Sequence, residues 1–261
     1  MNRSMTGLAL ATGVCVVLSS ACGGGEASTG GGAGGDSTTL KVSAASSLTD
    51  AFGELEATFE ANSSGTDVTF TFDSSSTLAE QVIQGAPVDV LATADEATMQ
   101  GVVDEGLTAT DPVPIAQNKL TVVTPADNPA DIDSISDLDS GAVDWAVCVP
   151  DAPCGVASEK LLSIVNVDAQ PVTEEANVRD VLTKVTTGEV DAGLVYVSDA
   201  QAAADDVTDI EVPQADQALN SDVIAPLTDA AEPELAQAWV DLVASDEGQR
   251  VLESYGFLPP A

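Results

Sequence analysis

Residues 40–59 read LKVSAASSLTDAFGELEATF, and two structural patterns follow one another directly in this stretch. The apolar run from Leu40 to Ala45 predicts a buried strand, and apolar residues then recur at helical spacing from Leu48 to Phe59. A buried strand that passes through a short serine turn into an amphipathic helix is the unit from which α/β proteins with parallel strands are built. The stretch therefore predicts that the folded part of the chain opens as an α/β fold.

The same alternation of strand and helix continues towards the C-terminus. Further strands are predicted at residues 68–72, 88–92, 119–124, 143–149, 192–197 and 223–226. Further helices are predicted from Thr77 to the stop signals Gly85 and Pro87, and at residues 94–105, 155–166, 177–188, 231–244 and 246–254. Repeated alternation of this kind predicts a mostly parallel sheet with helices on both faces.

The N-terminal residues carry the pattern of an export signal. Arg3 precedes an apolar run that is too short to span a bilayer, and we predict a secretory signal peptide over residues 1–21. The segment from Leu18 to Cys22 resembles a bacterial lipobox, although its leucine stands one place too far from the cysteine. The segment predicts that Cys22 is lipidated and becomes the first mature residue. The alternative is ordinary signal cleavage, with Cys22 a stray thiol.

Gly, Ser, Thr and Ala dominate the next stretch, residues 22–38. Such a composition buries almost no apolar surface, so it predicts a flexible tether between the lipidated Cys22 and the folded part. The remaining chain is long enough to bury a sizeable core and suits one large domain or two small ones. We therefore expect an exported lipoprotein on the extracytoplasmic face of the cell membrane, with the lipid as its only membrane contact.

The charge and the absence of histidine exclude several function classes. The 43 Asp and Glu residues face 7 Lys and Arg residues, for a net charge of −36, whereas nucleic-acid binding requires clustered Lys and Arg. The chain has 0 histidines, and histidine is the commonest general base and metal ligand. A Ser-His-Asp or Cys-His site is therefore excluded, although a Ser-Lys site stays open. The composition favours a binding protein over an enzyme.

Two cysteines lie in the folded part, Cys148 and Cys154. In an exported protein, a pair this close in sequence is more often a disulfide than a metal or redox site. We predict a disulfide between them.

Several of the predicted turns between a strand and the following helix are made of small residues. They are Ala45-Ser46-Ser47, Ser74-Ser75-Ser76 and Pro153-Cys154-Gly155. Helix N-termini at the carboxyl ends of strands present free N–H groups and a partial positive charge, which suits an anion. The alternative is that the serines only cap helices, and Ser47, with Asp50 three residues later, has the spacing of such a cap.

A series of such motifs, taken in order along the chain, resembles the molybdate-binding proteins of ABC importers. The series comprises residues 44–52 (AASSLTDAF), 72–81 (FDSSSTLAEQ), 85–90 (GAPVDV), Pro153-Cys154-Gly155, Val178-Arg179, 193–200 (GLVYVSDA) and Tyr255-Gly256-Phe257. The resemblance covers roughly residues 39–259. Each motif alone is weak, and their order makes the resemblance specific.

The resemblance implies a two-lobed periplasmic-binding-protein fold of type II, in which each lobe is a mixed, mostly parallel sheet flanked by helices. Lobe I would comprise residues 39–118 and 222–261, and lobe II residues 119–221. The ligand would lie in the cleft between them.

The resemblance also implies which residues hold the ligand. Ser47 and Ser75 would each give a hydroxyl and a backbone N–H, Cys154 and Val178 would give backbone N–H groups, and Tyr196 would give its hydroxyl. Molybdenum would be bound as its oxyanion, with no direct cation ligand and no cofactor. The alternative for Val178 and Tyr196 is a purely structural role, since the side chain of Val178 fits a buried helical stripe and Tyr196 suits a core aromatic.

The implied function is high-affinity capture of molybdate, and of tungstate, for the permease and ATPase subunits of an ABC importer, by a monomer. The main alternative is a binder of another oxyanion or of a small organic acid, since the same scaffold accepts many ligands. Organic carboxylates are typically bound by an arginine clamp, and Arg179 is the one candidate near the site. Asp73 directly precedes the serine turn, and we expect it to face solvent or the N–H groups of its own loop.

Overall fold

The computed structural model describes residues 37–261. The predicted signal peptide, Cys22 and nearly all of the predicted tether lie outside the described residues. Within the part that is described, no helix combines the length and the apolar character that crossing a bilayer requires.

Ten strands form two sheets of five within residues 37–261. The strands are β1 (Thr38–Ala45), β2 (Thr66–Asp73), β3 (Val90–Thr93), β4 (Val113–Asn118), β5 (Leu120–Pro125), β6 (Trp145–Cys148), β7 (Thr173–Glu175), β8 (Ala192–Tyr196), β9 (Val207–Ile210) and β10 (Asn220–Pro226). The first sheet has the order β2-β1-β3-β10-β4, and the second has the order β7-β6-β8-β5-β9.

The α-helices alternate with these strands. They are α1 (Thr49–Asn62), α2 (Ser75–Ile83), α3 (Glu96–Asp104), α4 (Pro153–Val165), α5 (Val178–Thr186), α6 (Val197–Ala202), α7 (Pro233–Ala244) and α8 (Asp246–Ser254). Short 3-10 helices are found at Ser46–Leu48, Ile135–Ser140 and Ala215–Gln217.

Helices cover both faces of the first sheet, and together they form what we call lobe A. On one face, α1, α7 and α8 enclose a core in which Trp239 packs edge-on against Phe52 and Phe59, with ring centroids 5.4 and 5.3 Å apart. On the other face, α2 and α3 bury a smaller cluster around Leu78, Leu91 and Met99. Each aromatic ring buries a large apolar area, so this face is the main source of hydrophobic stabilisation in lobe A.

The second sheet and the helices α4, α5 and α6 form what we call lobe B. A single apolar cluster runs through it, from Leu120 on β5 to Ala218 before β10. The predicted apolar stripe on α5 faces this cluster, since Val178, Val181, Leu182 and Val185 are all buried.

Both sheets are mixed, as the resemblance implied, and each has as many antiparallel as parallel pairings. In lobe A, β1 pairs in parallel with β2 and β3, whereas β10 is antiparallel to β3 and β4. In lobe B, β6 pairs in parallel with β7 and β8, whereas β5 is antiparallel to β8 and β9. β5 and β10 are the strands that enter each sheet from the other one, and no α-helix precedes them as a crossover. Parallel pairing would require such a crossover, so these two strands pair antiparallel.

The chain passes between the lobes at two places. Lys119 alone separates β4 from β5, and the return leads into β10. β10 begins at Asn220, before the proposed boundary at residue 222, because Asn220 and Ser221 pair with Asn118 and Gln117 of β4. The division of the chain into lobes at residues 118 and 221 stays a prediction.

Three local predictions differ from the structure. Ser47 lies in a 3-10 turn and caps no helix with its side chain, because α1 begins only at Thr49. α2 begins at Ser75 and not at Thr77, since the serine turn itself is already helical. β1 begins at Thr38, inside the predicted tether, because the N–H of Thr38 donates to Gly65 O at 2.8 Å and extends the pairing with β2.

Candidate functional site

A small cavity of about 10 Å³ lies between the lobes and is partly open to solvent. Its lining comes from lobe A at Ala45, Ser46, Ser47, Asp73, Ser74, Ser75 and Ala94, and from lobe B at Pro153, Cys154, Asn177, Val178 and Tyr196. All five residues that the resemblance implied as ligands are therefore brought together on one cavity. All five are buried.

Lobe A presents two serine hydroxyls to the cavity from the ends of neighbouring parallel strands. The Oγ of Ser47 is buried and has no hydrogen-bond partner among the described residues. The Oγ of Ser75 accepts a hydrogen bond from the N–H of Ala94 at 2.9 Å. Because that bond uses an oxygen lone pair, the hydroxyl proton of Ser75 stays available to a ligand. The Oγ of Ser74 lies 2.9 Å from that of Ser76, so one of these two hydroxyls donates to the other.

Lobe B presents the N-terminus of α4, where Pro153 occupies the first turn and Cys154 follows. The predicted disulfide is present: Cys154 is bonded to Cys148, and their Cα atoms are 5.7 Å apart. The disulfide holds the start of α4 against the end of β6. Gly155 makes this approach possible, because a Cβ at this position would lie 1.9 Å from the carbonyl oxygen of Val149.

The N-terminus of α5 is the second helix start that lobe B directs at the cavity. Asn177 caps α5: its side-chain oxygen accepts from the N–H groups of Arg179 at 3.0 Å and Asp180 at 3.1 Å. The N–H of Val178 is not taken by this cap. The first N–H groups of a helix have no partner within the helix, so that of Val178 can serve a ligand while its side chain remains in the core.

Tyr196 ends β8, and its hydroxyl is oriented by Asn220 of β10. The Nδ2 of Asn220 donates to the Tyr196 hydroxyl oxygen, which leaves the Tyr196 proton free to donate elsewhere. Burial raises the pKa of Tyr196 well above its ordinary value of 10.0, and the nearby carboxyl groups of Asp222, Asp199 and Asp95 add to this rise. The hydroxyl is therefore protonated at neutral pH and acts as a donor.

The lining of the cavity combines helix starts with uncharged donors. Of the described residues that line it, none is Lys or Arg. The helices α2, α4 and α5 all begin at the cavity, and their N-termini supply partial positive charge. Among the described residues of the lining, Asp73 alone carries a carboxylate. Its Oδ1 accepts from the N–H of its own loop at Ser74, at 2.7 Å, as expected, and from Asn177 Nδ2 at 3.3 Å.

Arg179, the candidate cation near the site, does not line the cavity. Its guanidinium pairs with Asp50, and its Nε lies 2.8 Å from Asp199 Oδ1. Two carboxylates therefore already compensate its charge.

A wider groove of about 440 Å³ runs along α4 in lobe B. Its lining includes the carboxylates of Glu159, Asp168 and Glu174 and receives no donors from lobe A. Such a lining opposes an anion, and we locate the candidate site in the smaller cavity between the lobes. Across residues 37–261, no group of three or more Cys, Asp or Glu side chains is arranged to hold a metal ion.

The family model for bacterial extracellular solute-binding proteins matches residues 40–258 of the chain. This match spans both lobes and every residue of the cavity lining. The chain belongs to the bacterial extracellular solute-binding proteins.

Individual relatives of this solute-binding protein agree with the family match. The molybdate-binding protein ModA of Mycobacterium tuberculosis H37Rv is 41% identical over 222 residues, which cover 85% of each chain. Among solved structures, the periplasmic molybdate-binding protein of Azotobacter vinelandii matches with a TM-score of 0.76 at 19% identity, over 85% of this chain and 100% of that one. The sulfate-binding protein SubI of M. tuberculosis H37Rv matches with a TM-score of 0.74 at 18% identity, over 85% and 87%. At these identities the two structures show a shared fold alone.

Sequence reasoning missed three contributors to the site of this solute-binding protein. They are Asn220, which orients the Tyr196 hydroxyl, Asn177, which caps α5 and contacts Asp73, and Ala94, whose N–H orients Ser75. The position of Asn177 directly before the apolar stripe of α5 was a detectable N-cap signal. Asn220 and Ala94 lie far in sequence from the residues they orient, and their local sequence carries no signal of those contacts.

Proposed function

We propose that this solute-binding protein captures molybdate, and also tungstate, outside the cytoplasmic membrane and delivers it to the permease and ATPase subunits of an ABC importer. One observation carries the proposal: hydroxyl and N–H donors from both lobes converge on one buried cavity that contains no cationic side chain. The 41% identity to the molybdate-binding protein of M. tuberculosis supports the choice of ion.

The chemistry of the cavity suits a fully deprotonated tetrahedral dianion. Such an ion offers acceptors on every oxygen and requires donors in return. In the proposed complex, the hydroxyls of Ser47, Ser75 and Tyr196 and the N–H groups of Cys154 and Val178 provide those donors. Donors that are fixed in place around a charged acceptor form stronger hydrogen bonds than neutral pairs do. Helix N-termini add positive potential, so no fixed cation is needed.

The acidic surface is compatible with this proposal. The net charge of −36 opposes the approach of an anion at long range. Salt at physiological ionic strength screens surface charges beyond about 8 Å, whereas the donors of the cavity act at hydrogen-bond distance. Long-range repulsion therefore lowers the association rate more than it lowers the affinity.

The proposal extends to the assembly, chemistry and location of the protein. The protein acts as a monomer, binds its ion without a cofactor and performs no catalysis. It is exported by the signal peptide at residues 1–21 and anchored through a lipid on Cys22. Treatment of intact cells with a lipoprotein signal peptidase inhibitor tests the anchor: the precursor accumulates if Cys22 is the lipidation site, and Cys22→Ser abolishes the effect.

Isothermal titration of the purified protein with a panel of oxyanions tests the ligand. We expect one-to-one binding of molybdate and of tungstate. No heat with either ion, together with clear heat from sulfate or from a small organic acid, would identify a different ligand for the same cavity. Turnover of a chromogenic ester or phosphate panel by the same preparation would contradict a purely binding role.

A further inference from the structure

The N-terminus of α5 is a point at which lobe B contacts lobe A directly. On either side of Val178, a polar side chain crosses the cleft. The Nδ2 of Asn177 donates to Asp73 Oδ1 at 3.3 Å, and Asp73 ends β2 of lobe A. The guanidinium of Arg179 pairs with Asp50 in the first turn of α1, also in lobe A. The segment that presents the Val178 N–H to the cavity is therefore tied to the opposite lobe at both ends.

Arg179 is held in position from within its own lobe. Its Nε lies 2.8 Å from Asp199 Oδ1, close enough for an ion pair although the N–H is not aligned for a hydrogen bond. Asp199 is fully buried in α6, and its Oδ2 accepts from the N–H of Tyr196 at 3.3 Å. Burial raises the pKa of Asp199 to about 6, and the adjacent Arg179 limits that rise. Asp199 therefore anchors the guanidinium in lobe B and leaves its outer nitrogen directed at Asp50.

We propose that Arg179 and Asp50 form a latch between the closed lobes that sets the rate at which the bound oxyanion is released. Neither residue lines the cavity, so the pair does not recognise the ion. The pair joins the two lobes and breaks when they separate. Release of an ion enclosed between lobes requires that separation, so an interaction made only in the closed state slows dissociation and leaves the first encounter unchanged.

The size of the effect follows from the exposure of the pair. The side chains of Arg179 and Asp50 are 26% and 39% exposed, so water partly screens their attraction. For a pair of this kind we expect release to become about fivefold faster when the charge on residue 50 is removed, which corresponds to about 1 kcal/mol. Added salt screens an exposed ion pair, so the difference between parent and variant becomes smaller as ionic strength rises.

The inference rests on the proposed function only through the choice of ion, and the experiment keeps the two apart. The full mature chain is first titrated with molybdate, tungstate, sulfate and phosphate, which identifies the ion to use. The protein is then loaded with that ion in radiolabelled form and chased with an excess of the unlabelled ion, and the bound label is followed over time. Failure of molybdate to bind contradicts the proposed function. The release assay can then still be carried out with the ion that does bind.

Three variants define the outcome. Asp50→Asn keeps the shape of the side chain and removes its charge, and we expect about fivefold faster release with an association rate within twofold of the parent. Asp50→Glu keeps a carboxylate opposite Arg179, and we expect release within about twofold of the parent. Asp67→Asn removes the same charge from an exposed position of β2, and we expect the parental rate.

Equal release rates for the parent and Asp50→Asn at low salt would overturn the latch. A loss of affinity in Asp50→Asn that comes from slower association would also overturn it, because the ion pair would then affect the binding step and not release. A general effect of surface charge is distinguished by the control, since Asp67→Asn would then release the ion as fast as Asp50→Asn.

Discussion

At the scale of single residues, the cavity distinguishes serines that a sequence cannot tell apart. Ser74 and Ser76 bond to each other through their hydroxyls, whereas Ser75 keeps its proton free by accepting from Ala94. Ser47 has a buried hydroxyl with no partner among the described residues. A buried donor without a partner is costly, so a ligand that accepts from it gains a strong interaction.

This distinction predicts the order of three alanine substitutions. Ser47→Ala and Ser75→Ala each remove a hydroxyl that is free to face a charged ligand, and we expect a loss of about 1.5–3 kcal/mol in the binding free energy of molybdate. Ser74→Ala removes a hydroxyl that is already bonded to Ser76, and we expect a smaller loss. Titration calorimetry on the three variants measures the order, and equal losses in all three would show that these donor assignments are wrong.

Asp73 is the residue that tests the proposed selectivity for a deprotonated ion. Hydrogen phosphate carries an O–H that needs an acceptor, and a buried O–H without one costs about 1–3 kcal/mol. The five proposed ligand groups are all donors, and Oδ1 of Asp73 accepts from Ser74 and Asn177, so we expect phosphate to compete far less well than sulfate for the molybdate site unless Oδ2 of Asp73 accepts the phosphate proton. Competition titrations on the parent and on Asp73→Asn measure this. Phosphate that competes as well as sulfate in the parent, and loses that ability in Asp73→Asn, would mean that Asp73 accepts the ligand proton.

At the scale of the elements, the close packing of α5 on β8 determines where the Val178 N–H lies. A Cβ at Gly193 of β8 would lie 2.8 Å from Val181 Cγ1 and 2.9 Å from Val185 Cγ2, both on α5. These side chains are fully buried and have little room to move. Any side chain at residue 193 therefore pushes α5 outward, and the helix N-terminus moves with it.

Gly193→Ala should therefore damage stability and binding together. We expect unfolding free energy to fall by about 1–3 kcal/mol through overpacking, and molybdate affinity to fall as Val178 moves. Gly101→Ala on α3 is the matched control, since its Cβ would meet nothing within 4 Å, and it should be neutral or stabilise by about 0.4–1 kcal/mol. Urea denaturation and calorimetric titration of both variants provide the comparison. If Gly193→Ala is destabilised but binds molybdate with unchanged affinity, the position of α5 does not determine ligand binding.

At the scale of the whole molecule, the buried carboxyl of Asp222 links stability to pH. Asp222 lies on β10, is fully buried, and neither of its carboxyl oxygens has a hydrogen-bond partner among the described residues. Burial raises the pKa of Asp222 well above its ordinary value of 3.8, and the nearby Asp199 and Asp95 add to the rise. The folded state therefore holds this proton more tightly than the unfolded chain does.

The sign of the pH dependence follows from that shift. Since the pKa in the folded state is raised above the unfolded value, the contribution of Asp222 to stability is complete below the unfolded pKa of 3.8 and declines as pH rises towards the folded pKa. We expect Asp222→Asn, which cannot ionise, to be more stable than the parent at neutral pH, by a margin that grows as pH rises above 3.8. Near the unfolded pKa the two proteins should unfold alike.

Chemical denaturation of the parent and Asp222→Asn, from pH 3.8 to neutral pH, tests whether the stability difference grows with pH. Asp67→Asn, at an exposed position, serves as the control and should show no growing advantage with pH. A stability difference between parent and Asp222→Asn that stays constant with pH would contradict a protonated Asp222.

The sequence by itself determined the elements whose evidence is local. The apolar run before Ser46 predicted β1, the stripe from Val178 to Val185 predicted the buried face of α5, and the short spacing of Cys148 and Cys154 predicted their disulfide. Hydrophobic periodicity reports which face of an element is buried, so it is reliable wherever one face alone enters a core. It gave no sign of β7, whose three residues are polar and only partly buried or exposed.

Only the tertiary structure decided which groups meet and which remain free. The hydroxyl of Ser47 has no partner among the described residues because its turn is 3-10 and the helix starts beyond it. The hydroxyl proton of Tyr196 is free because the oxygen accepts from Asn220 of another strand. The partners of Arg179 likewise come from α1 and α6, far from it in sequence. Hydrogen bonds and ion pairs depend on distances that the packing of both lobes sets, and a local pattern of residue types carries no information about those distances.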